Sequence, residues 1–208
     1  MIDFVVAGLS ANSVPYVEAL ELQRAVHRSV VAGSRPDTVI LLEHPSVYTA
    51  GKRTDASERP TDGTPVIDVD RGGKITWHGP GQLVGYPILR LAEPIDVVGY
   101  VRRLEGIIID ALRRLGVDGE RVPGRSGVWM RGNDKIASIG IRVANGVTMH
   151  GFSLNCDNSF DAYDSIVACG LPDAGATSIS RELGRTVTTT QVAPVVQAAF
   201  IESLVMGG

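Results

Sequence analysis

The sequence predicts an α+β domain built on a mixed sheet. Three observations carry that expectation: segments of helical periodicity interleave with strand-like runs, three of those runs follow one another in series, and the regular alternation of a doubly wound fold is missing. At 208 residues, 44% of them apolar and 21% charged, the chain amounts to a single domain (residues 1–208) that can bury roughly 70% of its unfolded surface without disulfide or metal staples. It has no apolar run long enough to cross a membrane, and its first ten residues, with Asp3 and a short apolar run, lack the layout of a secretory signal. A cytoplasmic location is the expectation.

Residues 14–31 place apolar side chains at 14, 17, 20, 22, 26, 30 and 31, a helical pattern. Residues 38–43 form a short β-rich run that ends at His44-Pro45, because proline disfavours helix at the residue before it. Residues 65–70, 74–77 and 82–91 read as strands separated by glycine turns. Asp96 is suited to cap a second helix that runs to Leu115 and stops at Gly116, with apolar residues at 97, 98, 101, 104, 107, 108 and 111. The serial strands follow at 126–130, 135–143 and 147–155, and Arg131-Gly132-Asn133-Asp134 and Ala144-Asn145-Gly146 supply turn residues between them. A loop-rich stretch containing Cys169-Gly170-Leu171-Pro172 leads to two short helices near 178–183 and 190–204.

Glycine is over-represented, at 24 of 208 residues against a usual ~7%. These glycines follow no collagen period and sit inside apolar stretches rather than serine-rich linkers, so they mark places where backbone must come close to something. The net charge of −3 argues against nucleic acid as a main partner. Its distribution is uneven: residues 71–92 hold three cations and no acid, and residues 121–156 hold Arg121, Arg125, Arg131, Lys135 and Arg142 against Asp134 alone. Folded together, the two stretches give an acidic protein one basic face toward an anionic substrate or acidic partner; solvated charges on unrelated loops are the alternative. Two cysteines, Cys156 and Cys169, are too few for a disulfide framework and lack metal-ligand spacing with the four histidines, so free thiols and no metal are expected.

The densest chemical signal is Arg71-Gly72-Gly73-Lys74-Ile75-Thr76-Trp77-His78, followed by Gly79-Pro80-Gly81-Gln82-Leu83-Val84-Gly85-Tyr86-Pro87, with five glycines in 17 positions. Its glycines let backbone amides approach a ligand, and Arg71 and Lys74 add cationic donors. It is no Walker loop, because Ile75 follows Gly73-Lys74 in place of Ser or Thr, and no dinucleotide fingerprint; a plain structural hairpin is an equal reading. Lys52, Lys74 and Lys135 are the only lysines among 20 basic residues. Lysine, unlike arginine, can be tuned toward neutrality, so Lys135 in an apolar run is a candidate acid/base or charge donor, with a solvated lysine at a hairpin edge as the alternative. Cys169 before Gly170 can be presented as a nucleophile if a cation lowers its pKa, against an inert buried cysteine. Cys156 reads as structural. His78 and His150 each precede a glycine and can line a pocket, whereas His44 before Pro45 reads as a turn or core residue.

Leu42-Glu43-His44-Pro45, Tyr48-Thr49-Ala50-Gly51, residues 71–82, Gly127-Val128-Trp129, Lys135-Ile136-Ala137-Ser138-Ile139-Gly140, His150-Gly151-Phe152-Ser153-Leu154-Asn155 and Cys169-Gly170-Leu171 stand in the order typical of the lipoyl(octanoyl) transferases. By these motifs nearly the whole chain resembles that family, the lipoate-protein ligase B family. The resemblance implies a biotin/lipoate protein ligase catalytic fold, class II synthetase-like, in line with the α+β reading. It implies transfer of an octanoyl group, without a cofactor, from octanoyl-acyl carrier protein to a lysine on lipoyl domains. The acceptors it implies are the E2 subunits of 2-oxoacid dehydrogenases and the glycine-cleavage H protein, with no nucleic-acid or membrane partner. It assigns the acyl-thioester role to Cys169 and depression of the thiol's pKa to Lys135. Substrate binding falls to Arg71, Gly72, Gly73, Lys74, Ile75, Thr76, Trp77, His78, Ser138, Ile139, Gly140, Gly151, Phe152 and Ser153, with His150 as an accessory candidate. Trp77 departs from the tyrosine of many relatives. The competing readings are an ATP-dependent lipoate or biotin ligase on the same fold, which leaves Cys169 without a task, and a non-catalytic acyl-binding module.

Overall fold

The computed structural model describes residues 2–60, 63–163, 165–166 and 174–205. In chain order its elements are β1 (Asp3–Gly8), α1 (Tyr16–Val31), β2 (Thr38–Leu42), β3 (Val47–Ala50), β4 (Val66–Asp68), β5 (Thr76–His78), β6 (Gln82–Ile88), α2 (Val97–Arg114), β7 (Glu120–Val122), β8 (Arg125–Met130), β9 (Asp134–Ala144), β10 (Val147–Asn155), β11 (Gly175–Ala176), α3 (Ile179–Leu183) and α4 (Thr189–Val205). Each expected helix and strand is present within a few residues of its expected bounds. Strands β1, β3, β7 and β11 are additions; β1, β3 and β11 are defined by pairing with strands distant in the chain, and β7 by a short hairpin with β8.

Among the described residues the main sheet has eight strands, ordered β1-β2-β6-β10-β9-β8-β7 with β11 beside β9. It is mixed, as predicted: β1–β2 and β11–β9 pair in parallel, and β2–β6, β6–β10, β10–β9, β9–β8 and β8–β7 pair antiparallel. Strand β2 is apolar from Val39 to Leu42, as suits a strand covered on both faces. Val39 and Leu41 pack with Leu104 and Ile108 of α2 and Phe200 of α4, while Ile40 and Leu42 pack with Ala19, Val26 and Val30 of α1.

Local signals set the element ends. Pro15 holds an extended conformation directly before α1, so the helix opens at Tyr16. Asp96 caps α2 as expected, its carboxylate accepting from the Gly99 N–H at 2.8 Å. Asn145 and Gly146 have φ of +53° and +73°, the left-handed pair that a two-residue hairpin between β9 and β10 requires.

The glycine-rich run is not a hairpin. A second, three-stranded sheet is ordered β4-β3-β5, so β4 and β5 flank β3 and the connection between them must cross it. That connection lies against β9, where the Gly72 N–H donates to the Ile141 carbonyl at 2.9 Å. No described helix is long and apolar enough to cross a membrane, and no three His, Cys, Asp or Glu side chains among the described residues are grouped to hold a metal ion.

Candidate active site

The glycine-rich connection, strands β5, β6, β9 and β10, and the first residue of α1 enclose a cavity of about 340 Å³. Arg71, Gly73, Lys74, Thr76, His78, Lys135, Ser138, Ile139, Gly140, His150, Gly151, Phe152 and Ser153 all line it, so three expected segments converge. Strand alternation divides the first of them: Thr76 and His78 face the cavity, whereas Ile75 and Trp77 turn into a separate small core with Tyr48. Gly72 does not line the cavity either; it docks the connection onto β9. Cys169 lies outside the described residues.

Arg71 is 8% exposed, and its guanidinium is turned inward. Nη1 donates to the carbonyls of Gly72 (3.0 Å) and Lys74 (2.9 Å), and Nη2 to the carbonyl and hydroxyl of Thr49 (both 3.0 Å). The arginine thereby staples the connection to β3. Gly140 accommodates this packing, since a Cβ there would stand 3.0 Å from Arg71 Cδ and 3.1 Å from the Gly72 carbonyl oxygen.

The expected basic face is largely neutralised from within. Lys74 pairs with Glu58 and, at 3.3 Å, with Asp55, contacts that raise its pKa, the Glu58 hydrogen bond foremost. Arg142 pairs with Asp70, Arg131 with Glu182 (2.7 Å) and Asp134 (3.0 Å), and Arg121 with Glu105 (3.3 Å). Most of these carboxylates come from parts of the chain outside the two basic stretches, which is why local charge counting overstates the surface charge.

The imidazoles of the cavity are neutral and their tautomers are fixed. The Thr177 carbonyl can only accept, so Asn155 directs Nδ2 to it (3.0 Å) and leaves Oδ1 to accept from Gln82 Nε2 (2.9 Å). Gln82 Oε1 must then accept from His78 Nδ1–H (2.8 Å), making His78 Nε2 an acceptor. Burial, with the His44 charge secondary, pushes His78 down to about 3. His44 donates Nδ1–H to the Val14 carbonyl (2.6 Å) and accepts from the Tyr86 hydroxyl (2.7 Å), and burial holds it at about 4. Burial also pushes the Tyr16 phenol up to about 12.

His150 has φ of +57°, a strained conformation for a residue with a side chain. Its N–H donates to Gln23 Oε1 of α1 (3.0 Å) and its Nε2 to Asp70 Oδ1 (2.8 Å). Burial foremost, then the Arg71, Arg142 and Arg24 charges, lowers the ring to about 3. Asp70 acts in the opposite sense, but Arg142 shares that carboxylate and blunts its effect. Cys156 is fully buried in the core that α2 and α4 form against the sheet, where burial pushes its thiol well above the ordinary range, in keeping with a structural residue.

Lys135 sits near the start of β9, and its Nζ lies 4.5 Å from the centroid of the Trp129 ring. On its other side Ala176 of β11 pairs with it, and the Thr177 N–H donates to its carbonyl at 3.0 Å.

The profile of the lipoyl protein ligase A/B catalytic domain matches residues 15–201. The chain belongs to that family. A protein named octanoyltransferase from Clavibacter michiganensis subsp. michiganensis is 64% identical over 100% of this chain and 93% of its own length. Another octanoyltransferase, from Salinispora tropica, is 62% identical over 90% of each chain. These relatives place this member of the lipoyl protein ligase A/B family among its acyltransferases, as the motifs predict. Among solved structures, lipoate-protein ligase A bound with ATP superposes with a TM-score of 0.74 at 14% identity, covering 97% of this chain and 85% of that one. Biotin protein ligase from Aquifex aeolicus in complex with biotin and ATP gives 0.58 at 12% identity, covering 98% and 69%. At such identity the likeness concerns the fold, which is the expected biotin/lipoate ligase type.

Sequence reasoning missed part of the lining in this lipoyl protein ligase A/B domain: Tyr16, Arg53, Val84, Tyr86, Gly124, Arg125 and Ser126. Arg53 follows closely on the 48–51 motif, and Gly124 to Ser126 directly precede the 127–129 motif, so proximity to motifs was a usable signal for them. Val84 and Tyr86 lie within the glycine-rich stretch 71–87, which marked them in the same way. Tyr16 carries no such mark; only the packing of α1 across β6 brings it in.

Proposed function

We propose that this chain moves an octanoyl group from the thioester of an acyl carrier protein to a lysine of lipoyl domains, in E2 subunits of 2-oxoacid dehydrogenases and the glycine-cleavage H protein. The observation that carries the reading is the cavity, where three motif segments and Lys135 meet around glycine backbone and neutral imidazoles. Such a space suits a thin apolar chain. Six methylenes at ~0.8 kcal/mol each give roughly 5 kcal/mol of burial, and shortening the chain by two forfeits about 1.6 kcal/mol, roughly 15-fold in rate.

In the first step the Cys169 thiolate attacks the carrier thioester, a new thioester forms, and the carrier thiolate leaves and is protonated. In the second step the acceptor's neutral amine attacks that thioester, an amide forms, the Cys169 thiolate leaves, and the amine gives up one proton. Exchange of one thioester for another is close to neutral in free energy and aminolysis is downhill, so no ATP is consumed. Lys135 as ammonium favours the thiolate and as amine accepts the proton. The developing oxyanion needs donors, and the backbone amides near Cys169-Gly170 or those of Ser138-Ile139-Gly140 are the candidates. A reducing cytoplasm is the setting that keeps the thiol free.

Mass spectrometry after mixing with octanoyl carrier protein tests the reading. An octanoyl adduct that forms without ATP and disappears in Cys169→Ser is the expected result. Acylation that demands ATP, or an adduct that survives Cys169→Ser, would overturn it.

A further inference from the structure

We propose that Trp129 is a positioning residue for Lys135: the face of its buried indole fixes where the lysine ammonium sits in the cavity. The proposal rests on the reading of Lys135 as the group that serves the reacting thiol.

Trp129 is fully buried, and Lys135 Nζ stands 4.5 Å from its ring centroid, inside the ~6 Å over which a ring quadrupole attracts a cation. Strand register brings the two side chains together. Val128 pairs with Ala137, but Trp129 pairs with Lys135, so β9 carries one extra residue opposite β8. Without this bulge Trp129 would oppose Ile136 and the lysine would be re-aimed.

The segment of β8 opposite the bulge is anchored from behind. Gly127 has φ of +107°, and its N–H donates to Glu105 Oε1 at 3.0 Å. Glu105, fully buried in α2, is in turn paired with Arg102 (2.8 Å) and Arg121 (3.3 Å). A Cβ at Gly127 would stand 2.4 Å from the Ala137 carbonyl oxygen and 3.4 Å from Lys135 Cε, so the lysine stem runs beside bare backbone.

The charged groups around Lys135 do not provide a rival anchor. Asp134 pairs with Arg131, which also holds Glu182 across the turn to α3. Arg125 approaches the same indole at 5.4 Å and, carrying the same sign of charge, is no counter-ion for the ammonium. Among the described residues the indole face is what holds the lysine head group.

The test uses Trp129→Phe and Trp129→Leu, each alone and combined with Lys135→Met, in octanoyl transfer measured across pH. Trp129→Leu is expected to lower kcat about five-fold with KM within two-fold of the parent and to displace the pH profile, while Trp129→Phe retains most of the activity. Combined with Lys135→Met, Trp129→Leu should cost little more. In a Trp77→Phe chain, alkaline titration should produce a step in Trp129 emission that Lys135→Met removes. An equal cost with and without Lys135, an unmoved pH profile, or emission indifferent to Lys135→Met would each overturn the proposal. If Trp129→Leu fails to fold, the Phe variant and the emission titration still decide. If Lys135→Met leaves transfer intact while the emission step is present, the catalytic reading of Lys135 is what has failed, and the positioning role falls with it.

Discussion

Replacing Arg71 by lysine separates a staple from a ligand contact. The arginine fork reaches four acceptors, the Gly72 and Lys74 carbonyls from one nitrogen and both oxygens of Thr49 from the other, at 2.9–3.0 Å. An ammonium presents its three donors from a single point, so it can serve one side of this fork and leaves at least two acceptors without a donor. Each orphaned buried acceptor costs about 1–3 kcal/mol, and because the connection can take up some water the low end of the summed range of about 2–6 kcal/mol, about 2–3 kcal/mol, is expected. For a domain of this size that is a fall of about 5–10 °C in Tm. Calorimetric unfolding of Arg71→Lys without ligand is the assay, with the KM for an octanoyl thioester as the companion measurement. A Tm within about 2 °C of the parent combined with a ten-fold rise in KM would refute the reasoning, because it would mean that the guanidinium serves the ligand and not the loop.

Stability should also depend on pH through the buried imidazoles. His78 and His150 are held at about 3 and His44 at about 4, below the value of about 6.5 expected when unfolded, so below that pH the unfolded chain binds more protons. Stability is therefore lost as pH falls from about 6.5, by up to about 1.4 kcal/mol per pH unit for each histidine, and a Tm unchanged between pH 7.5 and 5 would contradict the buried neutral assignment. Glu105→Gln keeps the shape of a fully buried side chain but removes the charge facing Arg102 and Arg121. Because both arginines are partly exposed, a loss of about 2 kcal/mol is expected in urea unfolding, and an unshifted midpoint would show that the carboxylate bears no load.

Where a local rule decides the conformation, the sequence is readable. Asn145-Gly146 fixes a two-residue hairpin, and Asp96 caps α2, because each effect acts within a few residues. The converging segments 71–78, 138–140 and 151–153 were legible as motifs, and so was the presence of Lys135 beside them. Their division was not. Whether Ile75 and Trp77 or Thr76 and His78 face the cavity depends on which strand lies beneath, and β5 pairs with β3 across the chain rather than with its neighbours β4 and β6. The basic stretches misled for a related reason, since Asp70, Glu58, Asp55 and Glu182 reach them only through tertiary packing.

The docking of the glycine-rich connection on β9 bears on how the cavity is assembled. Strands β8, β9 and β10 form a meander of short loops that already carries Lys135, residues 138–140 and residues 151–153, and pairing of this local kind closes quickly. The opposite wall is delivered from far away: Asp70 meets Arg142 across a separation of 72 residues, and Gly72 caps Ile141 nearby. Loop closure over such a span costs more entropy than closing the short turns of the meander. The cavity is thus half prefabricated, and a lesion confined to the docking contacts would yield a chain with an intact meander and an open-sided trough.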